Sequence, residues 1–143
     1  MVSVILPAEY GYVVLLVVAF YLQQNILFVI PVVQQRFSTK INAPTLYPRD
    51  SEIKELKLST AQVRKYMFAQ RVHQNNVELM SFFLPAFLIA GLANPIHTAI
   101  AGSYVFVMRL LYAFANPDGK IRGVSGTYHL AECYVLFLAG SFG

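Results

Sequence analysis

Charged residues are scarce in this chain. Of its 143 residues, 13% are charged and 57% are hydrophobic, and tryptophan is absent. A soluble domain of this length needs a more highly charged surface to remain in solution. The composition therefore excludes the ordinary soluble globular class. It predicts an integral membrane protein with a single domain over residues 1–143.

Cysteine and long runs of basic residues are also lacking. The one cysteine, Cys133, excludes an internal disulfide and a cysteine metal cluster. The net charge of +4 comes without the basic run of a nucleic-acid-binding arm, so we expect no nucleic acid partner. Zinc-ligand spacing, a glycine-rich phosphate loop and a Ser–His–Asp arrangement are missing from the sequence. We therefore expect no metal site.

Apolar segments are abundant, and they predict four membrane helices in an all-α bundle. We place these helices at about residues 10–33, 66–93, 95–115 and 125–142, with a polar connection over 34–65. The first segment is long enough to cross the roughly 30 Å hydrocarbon core of a bilayer. Gln23, Gln24 and Asn25 interrupt it. Because polar side chains are costly in lipid, we expect these three to face neighbouring helices.

Basic residues are distributed unevenly between the loops. Lysine and arginine lie in the connection 34–65 and in the loop between the third and fourth segments, whereas the N-terminal tail and the C-terminus carry none. Positive loops face the cytosol, so both basic loops are predicted to be cytosolic. We expect a multi-pass protein of the endoplasmic reticulum or the mitochondrial membrane.

The second apolar segment opens with a polar stripe. Arg71, Asn75 and Glu78 are spaced so that they share one face of a helix, while His73 points to another side. One interpretation is structural: arginines near helix ends reach toward the interface, and Arg71 can pair with Glu78. The other is a binding site, because guanidinium groups bind carboxylates and Glu78 can accept from an ammonium group.

A second stripe lies on the third segment, where Arg109, Tyr112 and Asn116 share one helical face. Arg36 and Arg122 lie just beyond predicted helix ends on the same side of the membrane. Together with Arg71, these arginines are predicted to converge at one depth. Such a surplus of guanidinium groups suits a small, multiply anionic ligand that also carries an amine.

The fourth segment contains two further polar residues, His129 and Glu132, three positions apart. The residues on that side of the bundle are too few to ligate a metal. We expect a buried hydrogen-bonded pair or a subunit contact. Cys133 is expected to be a small buried residue.

Several short motifs resemble one known family. The run RVHQNNVE, Arg71–Glu78, resembles the R-A-H-x-N-x-x-E signature of the MAPEG family, membrane-associated proteins in eicosanoid and glutathione metabolism. Further similarities cover nearly the whole chain: EYG at 9–11, PTLY at 44–47, RLLYA at 109–113 and RG at 122–123. The sequence is most similar to the type 3 microsomal glutathione S-transferases of that family.

This resemblance implies a left-handed four-helix bundle that forms a homotrimer, with glutathione as co-substrate between adjacent subunits on the cytosolic side. The positions matching those that hold glutathione are Arg36, Arg71, His73, Asn75, Glu78 and Tyr112. Arg109, on the stripe of Tyr112, joins this binding set. Arg122 matches the arginine that stabilises the thiolate, so Arg122 and Tyr112 are the expected catalytic residues.

The implied activity is that of a glutathione S-transferase or a glutathione-dependent lipid peroxidase. A guanidinium group beside a thiol favours the thiolate, which is the nucleophile. The thiolate would attack a lipophilic electrophile or reduce a lipid hydroperoxide, and such substrates would enter between the helices from the membrane lipid.

Some positions depart from the family pattern. Asn116 stands where relatives have a second tyrosine, the loop leading to Arg122 is short, and the linker 49–65 is long and charged. Phe37 replaces a basic residue of leukotriene C synthases, which argues against leukotriene synthesis. The departures favour an alternative, a catalytically weak or silent accessory subunit of a larger membrane complex. A protein that presents a lipid without chemistry fits less well, because the glutathione-binding stripe is present.

Overall fold

A computed structural model describes residues 6–114 and 128–140, and this part of the chain is mostly helical. About 83% is helix and no strand occurs in the described ranges. The helices are α1 (Tyr10–Thr39), α2 (Asp50–Glu55), α3 (Thr60–Ala93), α4 (Pro95–Ala113) and α5 (Tyr128–Gly140). The predicted all-α class is confirmed.

Within the described residues, three helices are long and apolar enough to cross a membrane: α1, α3 and α4. The described part of α5 is a shorter apolar helix of 13 residues. Large apolar side chains point away from the bundle, among them Leu15, Ile100 and Phe137, which are 66%, 65% and 70% exposed. Such a surface suits lipid rather than water, as expected of an integral membrane protein.

Helix α1 continues past the predicted end at Val33 and stops at Thr39. Hydropathy marks the part of a helix that lies in lipid, whereas this helix continues into its polar flank. It ends where Lys40 takes a left-handed conformation, with φ of 60°. The N–H of Lys40 donates to the carbonyl of Arg36 at 2.8 Å, which closes the last turn.

Helix α3 begins at Thr60, six residues before the predicted start at Tyr66. Ser59 and Gln62 form a capping box at this end. The Ser59 hydroxyl accepts from the Gln62 N–H at 3.3 Å, and the Gln62 side chain accepts from the Ser59 N–H at 2.9 Å. The connection predicted over 34–65 is therefore partly helical. It contains the end of α1, all of α2 and the start of α3.

The other two predicted helices are both present, but the third ends at Ala113, and Phe114, within its predicted range, lies in a turn. Helix α4 begins at Pro95 as predicted, with proline in its first turn. Residue 115 of the third predicted helix lies outside the described residues, as do residues 125–127 and 141–142 of the fourth.

The core lies where α1, α3, α4 and α5 pack together. Phe20 of α1 makes edge-on contacts with Phe83, Phe87 and Phe106, at ring-centroid distances of 5.4, 6.2 and 5.6 Å. Edge-to-face arrangements of this kind stabilise aromatic clusters beyond their buried area. The cluster fixes the rotation of α3 relative to α1 and α4, and thereby the direction in which the polar residues of α3 point.

Two glycines allow helices to approach closely. A Cβ atom at Gly102 would lie 2.6 Å from Cζ of Phe87, and one at Gly91 would lie 2.9 Å from both methyl groups of Val13. Small residues are common where membrane helices touch, because packing is the main force between helices in lipid.

Candidate functional site

A charged residue lies at the centre of the polar region. Arg109 is fully buried, with 0% of its surface exposed. Its Nε donates to Oδ1 of Asn76 at 2.6 Å, and its Nη1 donates to Oδ1 of Asn75 at 3.0 Å. The guanidinium group also lies over the rings of Phe28 and Tyr112, 5.4 and 4.5 Å from their centroids. A buried charge is costly unless it is hydrogen-bonded, so these contacts stabilise it.

Helix α1 reaches this network through a π-helical segment, Gln24–Val29. The first residue of the segment, Gln24, accepts a hydrogen bond from Nδ2 of Asn76, and Phe28 of the same segment contacts Arg109. Short π-helical segments occur frequently at functional sites. Side chains of three membrane helices, α1, α3 and α4, therefore meet around one guanidinium group.

The expectation that the polar residues of α1 face other helices is confirmed for two of the three. Gln23 is buried and donates to the carbonyl of Phe106 on α4 at 3.0 Å, and Gln24 contacts α3. For Asn25 the expectation is wrong. Its amide donates to the carbonyl of Tyr21 in its own helix at 2.8 Å, which satisfies the side chain locally.

The stripe of Arg71, Asn75 and Glu78 runs along α3 as the spacing predicts. Arg71 and Glu78 are exposed, and Asn75 is half-buried. The Glu78 carboxylate accepts from the amide of Gln74 at 3.1 Å. The stripe is thus accessible on the surface of the described chain, and Asn75 connects it to buried Arg109.

A groove between α3 and α5 extends from this stripe and encloses about 320 Å³. Asn75, Glu78, His129 and Glu132 provide the polar groups in its lining. The remaining wall is apolar and consists of Leu79, Phe82, Phe83, Ala86, Val135 and Leu136. A groove of this composition suits an amphiphilic ligand.

His129 and Glu132 are hydrogen-bonded, with 2.6 Å between Nδ1 and Oε2. The two residues are therefore paired, but the pair is not buried, since the His129 side chain is 66% exposed. The alternative expectation, a subunit contact, stays a prediction. The sequence did not link this pair to the stripe on α3. The pair and the stripe line the same groove because α5 packs against α3. The residue spacing within either helix does not encode that packing.

Arg36 lies elsewhere than predicted. It is half-buried, its Nη2 donates to the carbonyl of Thr45 at 2.9 Å, and its guanidinium group lies 5.6 Å from the ring centroid of Tyr66. Tyr66 and Asn76 are separated along α3 by about 15 Å, at 1.5 Å per residue. Arg36 and Arg109 therefore do not converge at one depth, because the carbonyl groups of the loop hold Arg36 at the end of α1.

The remaining residues that the sequence analysis singled out differ in burial. His73 is half-buried on α3, and Tyr112 is buried on α4 beside Arg109. Cys133 is exposed rather than buried, which corrects the expectation for that residue. Arg122 and Asn116 lie outside the described residues.

Sequence reasoning missed Asn76 as a partner of Arg109. The signal that could have revealed the network is the glutamine pair at 23–24 inside an apolar segment, since it requires polar partners on other helices.

The family model described as the MAPEG family matches residues 14–142. No solved structure matches the chain.

Proposed function

The chain belongs to the MAPEG family, and from this membership we propose that it is a membrane-bound glutathione S-transferase or glutathione-dependent lipid peroxidase of the type 3 microsomal kind. The family includes glutathione transferases, peroxidases and leukotriene synthases. The observation that carries the proposal is the accessible stripe of Arg71, Asn75 and Glu78, which leads directly into an apolar groove.

The stripe fits the chemistry of glutathione. Glutathione carries two carboxylates, one ammonium group and peptide groups. The exposed guanidinium of Arg71 suits a carboxylate, and the exposed carboxylate of Glu78 suits the ammonium group. Asn75 adds an amide between them. Arg36 and His73, which the family resemblance assigns to glutathione, are proposed to complete the site.

Arg122 and Tyr112 are the proposed catalytic residues. The guanidinium of Arg122 would favour the ionised form of the glutathione thiol. The thiolate then bonds to an electrophilic carbon and displaces its leaving group. In the peroxidase reaction, two glutathione molecules supply the electrons, and a lipid hydroperoxide is converted to an alcohol and water with formation of glutathione disulfide.

The second substrate is proposed to be lipophilic and to occupy the groove between α3 and α5. Its apolar wall borders the polar stripe, so a lipid entering from the bilayer would meet glutathione there. Because the stripe is exposed on one subunit, we propose that a neighbouring subunit covers it in a homotrimer. The basic loops are proposed to face the cytosol, in the endoplasmic reticulum or a mitochondrial membrane.

The activity can be tested directly on protein purified in detergent. We expect it to bind glutathione in equilibrium dialysis, and to conjugate glutathione to an aryl halide or reduce a fatty-acid hydroperoxide. Product is followed by mass spectrometry, with heat-denatured protein as control. Absence of both binding and product would contradict the proposal.

A second candidate function is that of an accessory subunit in a larger membrane complex. It is favoured by α2, whose charged residues Asp50, Lys54 and Glu55 are exposed beside the bundle and could contact another protein. Native electrophoresis of a mild detergent extract distinguishes the two. Migration with a large assembly, together with absence of glutathione binding, supports the accessory role. A small homotrimer that binds glutathione contradicts it.

A further inference from the structure

The orientation of the Asn75 side-chain amide is determined by Arg109. A guanidinium group has only donors, so the atom that accepts from it must be an oxygen. Nη1 of Arg109 lies 3.0 Å from Oδ1 of Asn75. The NH₂ group of Asn75 therefore lies on the other side of the carboxamide. Asn75 is half-buried and lines the groove, whereas Arg109 is fully buried inside the bundle.

The neighbouring asparagine, Asn76, also accepts a hydrogen bond from Arg109, but its NH₂ group donates to a residue inside the bundle. Oδ1 of Asn76 accepts from Nε of Arg109 at 2.6 Å, and its Nδ2 donates to Oε1 of Gln24. Asn76 is 1% exposed. Arg109 thus orients two adjacent amides: Asn76 joins α3 to α1, and Asn75 lies at the ligand groove.

We propose that Arg109 is a positioning residue rather than a ligand of glutathione, and that it orients Asn75 so that the NH₂ group of this side chain donates to the ligand in the binding site. The inference rests on the proposed function. It specifies what the NH₂ group of Asn75 recognises, which is a carboxylate or carbonyl oxygen of the peptide. It also reassigns Arg109, which the sequence had placed among the binding residues.

The most direct test is Asn75→Asp. An aspartate keeps an oxygen acceptor for Arg109, and so preserves the link between α3 and α4, but it has no N–H to donate. We expect the dissociation constant for glutathione, measured by equilibrium dialysis, to rise about tenfold or more. We expect the melting temperature of the detergent-solubilised protein to stay the same or rise.

Asn76→Asp is the matched control, because it adds the same charge one residue along the same helix. Its oxygen still accepts from Arg109, and Gln24 can rotate its amide to donate in return. We expect glutathione binding within about threefold of wild type, since the NH₂ group of Asn75 is retained. The comparison separates loss of a hydrogen bond from repulsion between the new carboxylate and anionic glutathione.

Arg109→Lys tests the positioning role itself. A single ammonium group retains the charge but lacks the planar fork that holds both asparagines. We expect KM for glutathione to rise about tenfold while kcat at saturating glutathione stays within about threefold. If this variant does not fold, the Asn75→Asp result still decides.

Each outcome has a defined meaning. Unchanged glutathione binding by Asn75→Asp, or equal losses in Asn75→Asp and Asn76→Asp, overturns the inference while leaving the proposed function intact. Absence of glutathione binding by the wild-type protein overturns both.

Discussion

The residues of the polar region form two groups, one exposed at the surface and one buried between the helices. Arg71 and Glu78 are exposed, whereas Arg109 is fully enclosed and bonded to two asparagines. In the sequence these residues look alike, since each interrupts an apolar helix at helical spacing. Spacing defines the face that a residue occupies on its own helix. Whether that face meets lipid, a ligand or another helix depends on the packing of the bundle, which is why Arg109 was predicted to be a ligand.

Glu78→Gln tests the proposed ammonium site at the residue scale. The amide keeps the size and a hydrogen-bond acceptor but loses the negative charge that would pair with the amine of glutathione. Hydrogen bonds to charged groups contribute about 1.5–3 kcal/mol, so glutathione affinity should fall about tenfold or more. Glu55→Gln removes an equally exposed carboxylate in α2 and serves as control. Equal affinities of the two variants, measured by equilibrium dialysis, would contradict the assignment.

Helix ends illustrate what the sequence does and does not reveal at the scale of elements. Hydropathy locates the segments that lie in lipid, and it identified the three long helices of the described ranges, α1, α3 and α4. It underestimated the lengths of α1 and α3, because both helices continue into polar flanks. The start of α3 was nevertheless encoded, since Ser59 and Gln62 have the spacing of a capping box. The left-handed residue that ends α1, Lys40, carries no comparable signal, because glycine or asparagine is usual there.

Ser59→Ala should loosen the first turn of α3. Removing an N-cap hydroxyl costs about 1 kcal/mol of stability, because the backbone N–H of Gln62 loses its acceptor. We expect faster hydrogen exchange confined to the first turn of α3, measured by mass spectrometry. Ser103→Ala is the control, because that serine bonds a carbonyl one turn earlier within α4 and caps nothing. Unchanged exchange in Ser59→Ala would show that the cap does not define the helix start.

Gly102→Ala should destabilise the contact between α3 and α4. The added methyl group would overlap the ring of Phe87, which is fully buried in the aromatic cluster and has little room to move. Overpacking of this kind costs about 1–3 kcal/mol, so the melting temperature in detergent should fall. Gly11→Ala is the matched control, since nothing lies within 4 Å of its added Cβ atom. Alanine also favours helix over glycine, so this control should be neutral or slightly stabilising.

For the whole molecule, composition and motifs predicted the class, the family and a four-helix bundle, but they did not predict which side chains of different helices meet. In the prediction from sequence, the stripe on α3 and the pair His129 and Glu132 on α5 were separate features. Packing of α5 against α3 brings them into one groove. The proposed polar site for glutathione and the proposed apolar site for its lipophilic partner therefore lie next to each other on one chain.

The measurement that tests this account most directly is the ultraviolet absorbance of the glutathione thiolate on the purified wild-type protein, beside Arg122→Ala and the control Lys120→Ala. We predict a thiolate signal that saturates with glutathione in the wild type and in Lys120→Ala. Arg122→Ala should bind glutathione but lose the signal, because no guanidinium group then stabilises the anion. A wild-type protein that neither binds glutathione nor forms its thiolate would contradict the account.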